Sequence, residues 1–311
     1  MENNLRSILI LRFSSIGDIV HSTSVIGTLK SYFPDLSIDF MTLSKFAPLV
    51  KNHPKIDRVL SVDINDGYFA LKKIGLSIQK NGYDLVVDLH NTTRSRIIRK
   101  AMRKTKSLIL PKPRWKRFNL FMFHKNNFSS AFSVRSWLHD PIKHLLPQEH
   151  KMSETKLSIS DLEEGNGKKI LKNHGLKGDY FVVTPGAAWS QKRWPAKYFS
   201  ILIDKIKERY DLSAVLIGGV NDINCDEIAS MSNNTIIDIH GKTDLRESLA
   251  IISNAKFILG SDTGFLHAGE SLGISAITIL GPTSRETGCL LYTSDAADDT
   301  PCVDLGGRRI I

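Results

Sequence analysis

Four short segments combine residue types that suit the handling of a phosphorylated sugar. Ser261-Asp262-Thr263-Gly264-Phe265-Leu266-His267 follows an apolar run, Phe257 to Leu259, and opens a helical stretch. Thr263 and Gly264 would place free backbone N–H groups at a helix N-terminus, a ready anion site, and Gly264 allows close backbone approach. His267 lies one turn further on. Asp262 can accept hydrogen bonds from sugar hydroxyls or cap the helix. An ordinary N-cap uses the same residue types, so this motif alone leaves both readings open.

The other three segments also fall just after predicted strands. In Arg12-Phe13-Ser14-Ser15-Ile16-Gly17-Asp18, Gly17 permits a tight turn and Asp18 sits in the first helical turn, where a carboxylate can act as general base toward a hydroxyl. The plain alternative is that Asp18 only favours the helix dipole. The segment from Thr184 through Gly186 and Ala187 to Lys192-Arg193-Trp194-Pro195 joins small residues to paired cations before a helix. Lys192 is a compact charge suited to a diphosphate, whereas Trp194 reads as a hydrophobic anchor. Ile217-Gly218-Gly219-Val220-Asn221-Asp222 is a glycine-rich strand end, a weaker signal by itself.

The elements that must position these loops alternate from start to finish. Strands are predicted at Ile8 to Leu11, Ser37 to Met41, Val59 to Val62 and Leu85 to Asp88, with helices after the first and around Tyr68 to Lys80. Continuous apolar strands separated by helices indicate a parallel sheet covered on both faces. Residues 147–180, with Pro147, four glycines and a charged helix around Asp161 to Asn173, read as a linker. The alternation then restarts at Phe181 and runs to Leu280. The expected fold class is α/β, with two doubly wound parallel-sheet, Rossmann-like domains in tandem: residues 1–155, a linker over 156–179, and residues 180–288. Ligands in such sheets lie beyond the carboxyl ends of the strands, and a cleft between two such domains suits two substrates.

Composition narrows the class. At 311 residues and 41% hydrophobic, the chain can build two cores, and it has no apolar run of about 18 residues that would read as a membrane span. Three cysteines, Cys225, Cys289 and Cys302, give no disulfide framework and no metal-ligand spacing, which points to a reducing cytoplasm. Residues 289–311 resemble, codon for codon, read-through of a transposon-end sequencing adapter. They are expected to be a library artefact, with the natural protein departing from this chain near Gly288. Without them, 40 basic and 28 acidic residues leave a net charge of +12. The excess is local: between Asp88 and Asp140 there are thirteen Lys and Arg, beginning with Arg94, Arg96 and Arg99, and no acidic residue. Such a block can attract phospholipid headgroups, phosphorylated glycolipid or nucleic acid. The aromatics that follow, Trp115, Phe118, Phe121 and Phe123 with Met122, read as ordinary core residues, the alternative being a surface that touches lipid.

Taken in order, Arg12 to His21, Pro185-Gly186-Ala187 with Lys192-Arg193-Trp194-Pro195, and Ser261-Asp262-Thr263-Gly264-x-x-His267 resemble glycosyltransferase family 9, the ADP-heptose:lipopolysaccharide heptosyltransferases. The resemblance spans residues 8 to about 287. It implies a GT-B architecture, with the acceptor bound by the N-terminal domain and an ADP-sugar donor by the C-terminal one, and an inverting reaction that uses no metal or other cofactor. It makes Asp18 the base, gives Lys192 the leaving diphosphate, Asp262 the heptose, and Thr263, Gly264 and His267 the donor pocket with Gly186 and Ala187. Asp222 is a candidate for the family's donor-binding acidic residue. The acceptor, lipopolysaccharide core or lipid A-linked, would be met by Arg94, Arg96 and Arg99, with the protein peripheral on the anionic inner face of the inner membrane. The family's sheet and closing helices continue beyond Ser284, so an unclosed sheet edge is expected to weaken stability and activity of this chain. Two other readings stay open at this point: a non-enzymatic nucleic-acid-binding protein using the basic block, although no reader motif supports it and no nucleic acid is expected, and a GT-B-like sugar-nucleotide epimerase.

Overall fold

A computed structural model describes residues 5–112, 114–123, 125, 127, 133–187, 193–232 and 236–279. Lys192, Phe121's side chain, and residues 280–311 with the expected artefact lie outside the described part. The described chain divides into two compact units, the first ending at Ser158 and the second beginning at Ile159.

The first unit runs β1 (Ser7–Leu11), α1 (Ile16–Tyr32), β2 (Ser37–Leu43), α2 (Ala47–Val50), β3 (Arg58–Val62), α3 (Tyr68–Gln79), β4 (Leu85–Asp88), α4 (Thr93–Ala101), β5 (Lys106–Ile109), α5 (Arg114–Phe123) and α6 (Val134–His139). Its sheet is wholly parallel in the order β3-β2-β1-β4-β5. Ile8, Leu9, Ile10 and Leu11 are all buried, so β1 offers no polar face to solvent and takes the centre. The second unit runs α7 (Asp161–Asn173), β6 (Tyr180–Thr184), α8 (Ala196–Tyr210), β7 (Ser213–Leu216), α9 (Ile223–Met231), β8 (Ile237–Asp238), α10 (Leu245–Ile252), β9 (Ile258–Ser261), α11 (Gly264–Ser271) and β10 (Ala276–Ile279). Its order, β10-β9-β6-β7-β8, repeats that of the first unit. Its two faces are covered separately. One packs Val182, Val215 and Ile258 with Leu171 and Ile251; the other packs Phe181, Val183 and Leu216 with Phe199 and Ile228.

α1 is buried along most of its length, which its hydroxyl residues tolerate because each bonds the preceding turn. Ser22, Thr23 and Ser24 donate to the carbonyls of Ile19, Val20 and His21 at 2.6, 2.6 and 2.8 Å. The same helix fastens the chain leaving the first unit. The N–H groups of Lys151, Ser153 and Lys156 donate to Tyr32 Oη, Thr28 Oγ1 and Thr23 Oγ1 at 2.9, 2.8 and 3.0 Å.

Two sequence expectations change here. The helix Asp161–Asn173 is no linker but part of the second unit. Leu171 is buried in its core, Gly167 lies against Ala250, and Glu163 pairs with Arg246 at 2.6 Å. Of the glycines that read as linker, Gly167 permits this close packing. The described aromatics of α5 are not core residues either. Trp115 is 78% exposed, and Phe118, Met122 and Phe123 are exposed with it.

Two helical glycines make opposite predictions. A Cβ on Gly75 in α3 would meet Ala101 Cβ at 2.6 Å and the Ile98 carbonyl at 2.8 Å in α4, whereas one on Gly165 in α7 would meet nothing within 4 Å. Gly75→Ala should destabilise the protein by about 1–3 kcal/mol, because overpacking outweighs helix propensity. Gly165→Ala should stabilise it by about 0.5–1 kcal/mol. Urea unfolding of the two variants checks the signs.

Candidate functional site

In each unit the strand order reverses between the central strand and the unit's fourth strand, β1 and β4 in the first and β6 and β9 in the second, and loops beyond the carboxyl ends of such strands flank a crevice at the switch point. In the first unit the flanking loops follow β1 and β4. Asp18, at the third position of α1, accepts hydrogen bonds from Ser15 N–H and Oγ at 3.1 Å each, closing the first helical turn. Its Oδ2 also pairs with Arg12 Nη2 at 2.6 Å, and its side chain is 37% exposed. The buried Arg12 guanidinium further donates to the Ser14 carbonyl at 2.9 Å and to the Leu89 carbonyl just past β4. One cation thus ties both switch-point loops to the candidate base. Burial pushes the Asp18 carboxyl up, but the Arg12 charge and the hydrogen bonds from Ser15 and Arg12 together hold it below the usual carboxylate range.

The β4 loop is organised by Asp88, buried at the strand end. Its Oδ1 accepts from the N–H groups of His90 and Asn91 at 3.0 and 2.7 Å, and its Oδ2 pairs with Arg99 at 2.8 Å. His90 packs edge-on against Phe13, with ring centroids 5.6 Å apart. Burial, with the nearby charges of Arg12 and Lys112, depresses its pKa to about 4, so a neutral imidazole stands at this edge at pH 7. The three arginines expected to meet the acceptor are therefore not one cluster. Arg99 is turned inward onto Asp88 and is 13% exposed. Arg94 donates to the carbonyls of Asp63 and Ile64 at 3.0 and 2.7 Å, and Arg96 is the exposed one of the three.

In the second unit the strand order sets β9, β6 and β7 side by side, so three of the four sequence motifs become neighbours. Ser261, buried at the end of β9, donates to the Pro185 carbonyl at 3.2 Å and accepts from Trp194 N–H at 3.4 Å. Asn224 Nδ2 reaches the carbonyls of Pro185 and Trp194 at 3.4 and 3.2 Å, and Arg193 donates to the Ala187 carbonyl at 3.2 Å. Trp194 anchors α8 as its sequence position implied, stacking near Tyr198 and edge-on to Phe199. Gly186 lies so close to Asp222 that a Cβ would overlap the carboxylate. Asp222 occupies the N-cap position of α9; burial raises its pKa, against the opposing charge of Arg193. Thr263 is the N-cap of α11, which begins at Gly264, and one turn on His267 Nε2 stands 3.8 Å from Asp262 Oδ1. Two buried oxygens at this edge, Thr263 Oγ1 and Asp222 Oδ1, have no hydrogen-bond partner among the described residues.

Asp18, Asp222, Asp262, Thr263, Gly264, His267, Gly186 and Ala187 thus all lie at the carboxyl edges of the sheets of their own units. Lys192 lies outside the described residues. Sequence reading missed His90, Asp88, Asn224 and the bridging role of Arg12. The first two fall in a stretch read for its charge, and Arg12 gave only a spacing of six from Asp18. The ion pair predicts a titration. In an NMR pH titration Asp18 should lose its proton below the ordinary value of about 3.9. With Arg12→Met the lowering charge is gone while burial and the Ser15 hydrogen bonds remain, so the pKa should rise from its wild-type position; an unchanged midpoint would refute the bridge.

Comparison with known proteins bears on what these edges do. A family model described as glycosyltransferase family 9 (heptosyltransferase) matches residues 71–295. The chain is similar to lipopolysaccharide heptosyltransferase 1 of Campylobacter coli, 23% identical over 89% of this chain and 84% of the relative. The crystal structure of the glycosyl transferase family 9 protein from Veillonella parvula superposes with a TM-score of 0.79 at 20% identity, covering 91% of this chain and 83% of that one. The Escherichia coli ADP-heptose LPS heptosyltransferase II gives 0.72 at 21%, covering 92% and 88%. These likenesses show the fold, the tandem Rossmann-like, GT-B type. The family match favours the transferase over the nucleic-acid-binding and epimerase readings. Because that match takes in well over half of the sequence, the chain is a glycosyltransferase and belongs to glycosyltransferase family 9 (heptosyltransferase).

Proposed function

We propose that the protein moves a heptose, or a closely related sugar, from an ADP-sugar to a lipopolysaccharide core or lipid A-linked acceptor, inverting the anomeric centre, at the cytoplasmic face of the inner membrane. One observation carries this reading. The relatives aligned over most of the chain are themselves named as lipopolysaccharide heptosyltransferases, and one neighbour in structure is named for ADP-heptose.

In the proposed reaction the acceptor hydroxyl oxygen attacks the anomeric carbon as the bond from that carbon to the diphosphate oxygen breaks. The hydroxyl proton passes to Asp18, and ADP leaves with the bonding electron pair. Asp18 suits a base that accepts the proton late: Arg12 and Ser15 keep it ionised and aimed, while about a third of its side chain remains accessible. On the donor side, the first N–H groups of α11 and the positive charge of Lys192 would take up the charge developing on the diphosphate, with Gly186 and Ala187 allowing its approach. Asp262 and His267 would contact the sugar, Thr263 Oγ1 would bond the donor, and Asp222 would accept from donor hydroxyls. No cofactor is part of the proposal. Among the described residues no helix is long and apolar enough to cross a membrane, so the membrane placement would rest on surface contact.

Asp18→Asn preserves shape but removes the base. Turnover with an ADP-heptose and a core acceptor should fall by about 100-fold or more, while ADP binding measured by calorimetry stays within about twofold. Wild-type turnover in that variant would remove Asp18 from the mechanism. Asp222→Asn should act differently, raising the donor KM by about tenfold with a smaller effect on kcat. An unchanged donor KM would place the donor hydroxyls elsewhere.

A further inference from the structure

The first unit exposes large apolar side chains at two places that the transferase chemistry does not use. One follows β3, where Tyr68 and Phe69 begin α3; Phe69 is 83% exposed and meets Tyr68 edge-on at 5.4 Å. The other follows β5, where Trp115, Phe118 and Phe123 of α5 are exposed and linked by edge-on ring contacts at 5.9 Å. Because the sheet is wholly parallel, both groups lie beyond its carboxyl end. Because β3 and β5 are its two edge strands and β1 its centre, they stand on either side of Asp18.

Neither group hangs loosely. Arg94 ties the β3 loop to α4 through the carbonyls of Asp63 and Ile64. The chain leaving β5 is fixed by Asn91 Nδ2 to the Leu110 carbonyl at 2.9 Å and by Trp137 Nε1 to the Pro111 carbonyl at 2.7 Å. On the chain leaving β5, Lys112, Arg114, Lys116 and Arg117 are interleaved in sequence with these aromatics and no acidic residue falls among them, and Arg96 is exposed in the first turn of α4. Aromatic rings with cations beside them in sequence match a bilayer interface, where rings enter at headgroup depth and cations meet anionic lipid.

We propose that the Tyr68–Phe69 pair and the aromatic face of α5 are two feet that seat the first unit on an anionic lipid bilayer, holding the Asp18 edge toward it. The inference rests on the lipid-linked acceptor proposed above, and it specifies which residues touch the membrane. Its test is sedimentation of the full chain with vesicles of phosphatidylethanolamine and phosphatidylglycerol, against vesicles of phosphatidylcholine. The wild type should bind the anionic vesicles selectively. Phe69→Ser and Trp115→Ser should each weaken that binding by about tenfold, the ratio for withdrawing one large ring from an apolar environment, and the pair should weaken it further. Thermal unfolding should be unchanged, because both side chains are exposed. Turnover on a water-soluble core acceptor, measured in parallel, separates the two ideas. Its absence in the wild type counts against the transferase reading, whereas vesicle binding reports on the feet alone. Equal vesicle binding by wild type and double variant would overturn the proposal. So would failure of the wild type to bind, a dimer that the substitutions dissociate, or binding to single-stranded RNA in place of vesicles.

Discussion

The constraint on which everything else depends is that both sheets are fully parallel with their first strands at the centre. Parallel strands return through crossovers, so every strand delivers its carboxyl end to the same edge. Central placement of β1 and β6 then puts a change of direction beside each, and the loops there diverge instead of covering one another. Residues far apart in sequence, such as Pro185, Asp222 and Ser261, become neighbours for that reason alone. Side-chain chemistry decides what the neighbours do, but the strand order decides that they meet.

The two units build their edges by different means. The first uses charge. Arg12 is held inside by two carbonyls and an ionised carboxylate, and breaking that set would leave an uncompensated buried cation, so the geometry of Asp18 is stiff. The second uses close approach. Gly186 lies where any Cβ would strike Asp222, and Gly260 where one would strike Thr184, so the backbones of β6 and β9 and their loops come nearer than side chains would permit. Stiff placement suits the proton-accepting role proposed for Asp18, and bare backbone suits the approach of a diphosphate proposed for the second unit.

Much of this was legible in the sequence because the informative signals are local. Apolar runs of four or five residues mark the buried strands, and Ser, Gly and Asp after them mark the loops. What escaped were properties set by partners at long range. Counting charge placed Arg99 on a basic surface because Asp88, eleven residues earlier, counts as the end of a strand and not as its counterion. Arg94 spends its guanidinium on two carbonyls, which composition does not reveal. Glycines at 165 and 167 made α7 read as a linker, although Gly167 is what lets it lie against Ala250. β5, Lys-Ser-Leu-Ile at a sheet edge, is too short and too half-exposed to stand out. Aromatics at helical spacing look alike whether they face a core or solvent, so the exposure of α5 had to be seen.

The central proposal is that this chain carries out an inverting sugar transfer with an ionised Asp18 as its base. The most direct measurement is the anomeric configuration of the product, read by NMR after the protein is supplied with ADP-heptose and a lipopolysaccharide-core acceptor. The account predicts a new glycosidic bond of configuration opposite to the donor's, with one ADP released for each bond formed. Retained configuration, or ADP release that proceeds equally without acceptor, would contradict it.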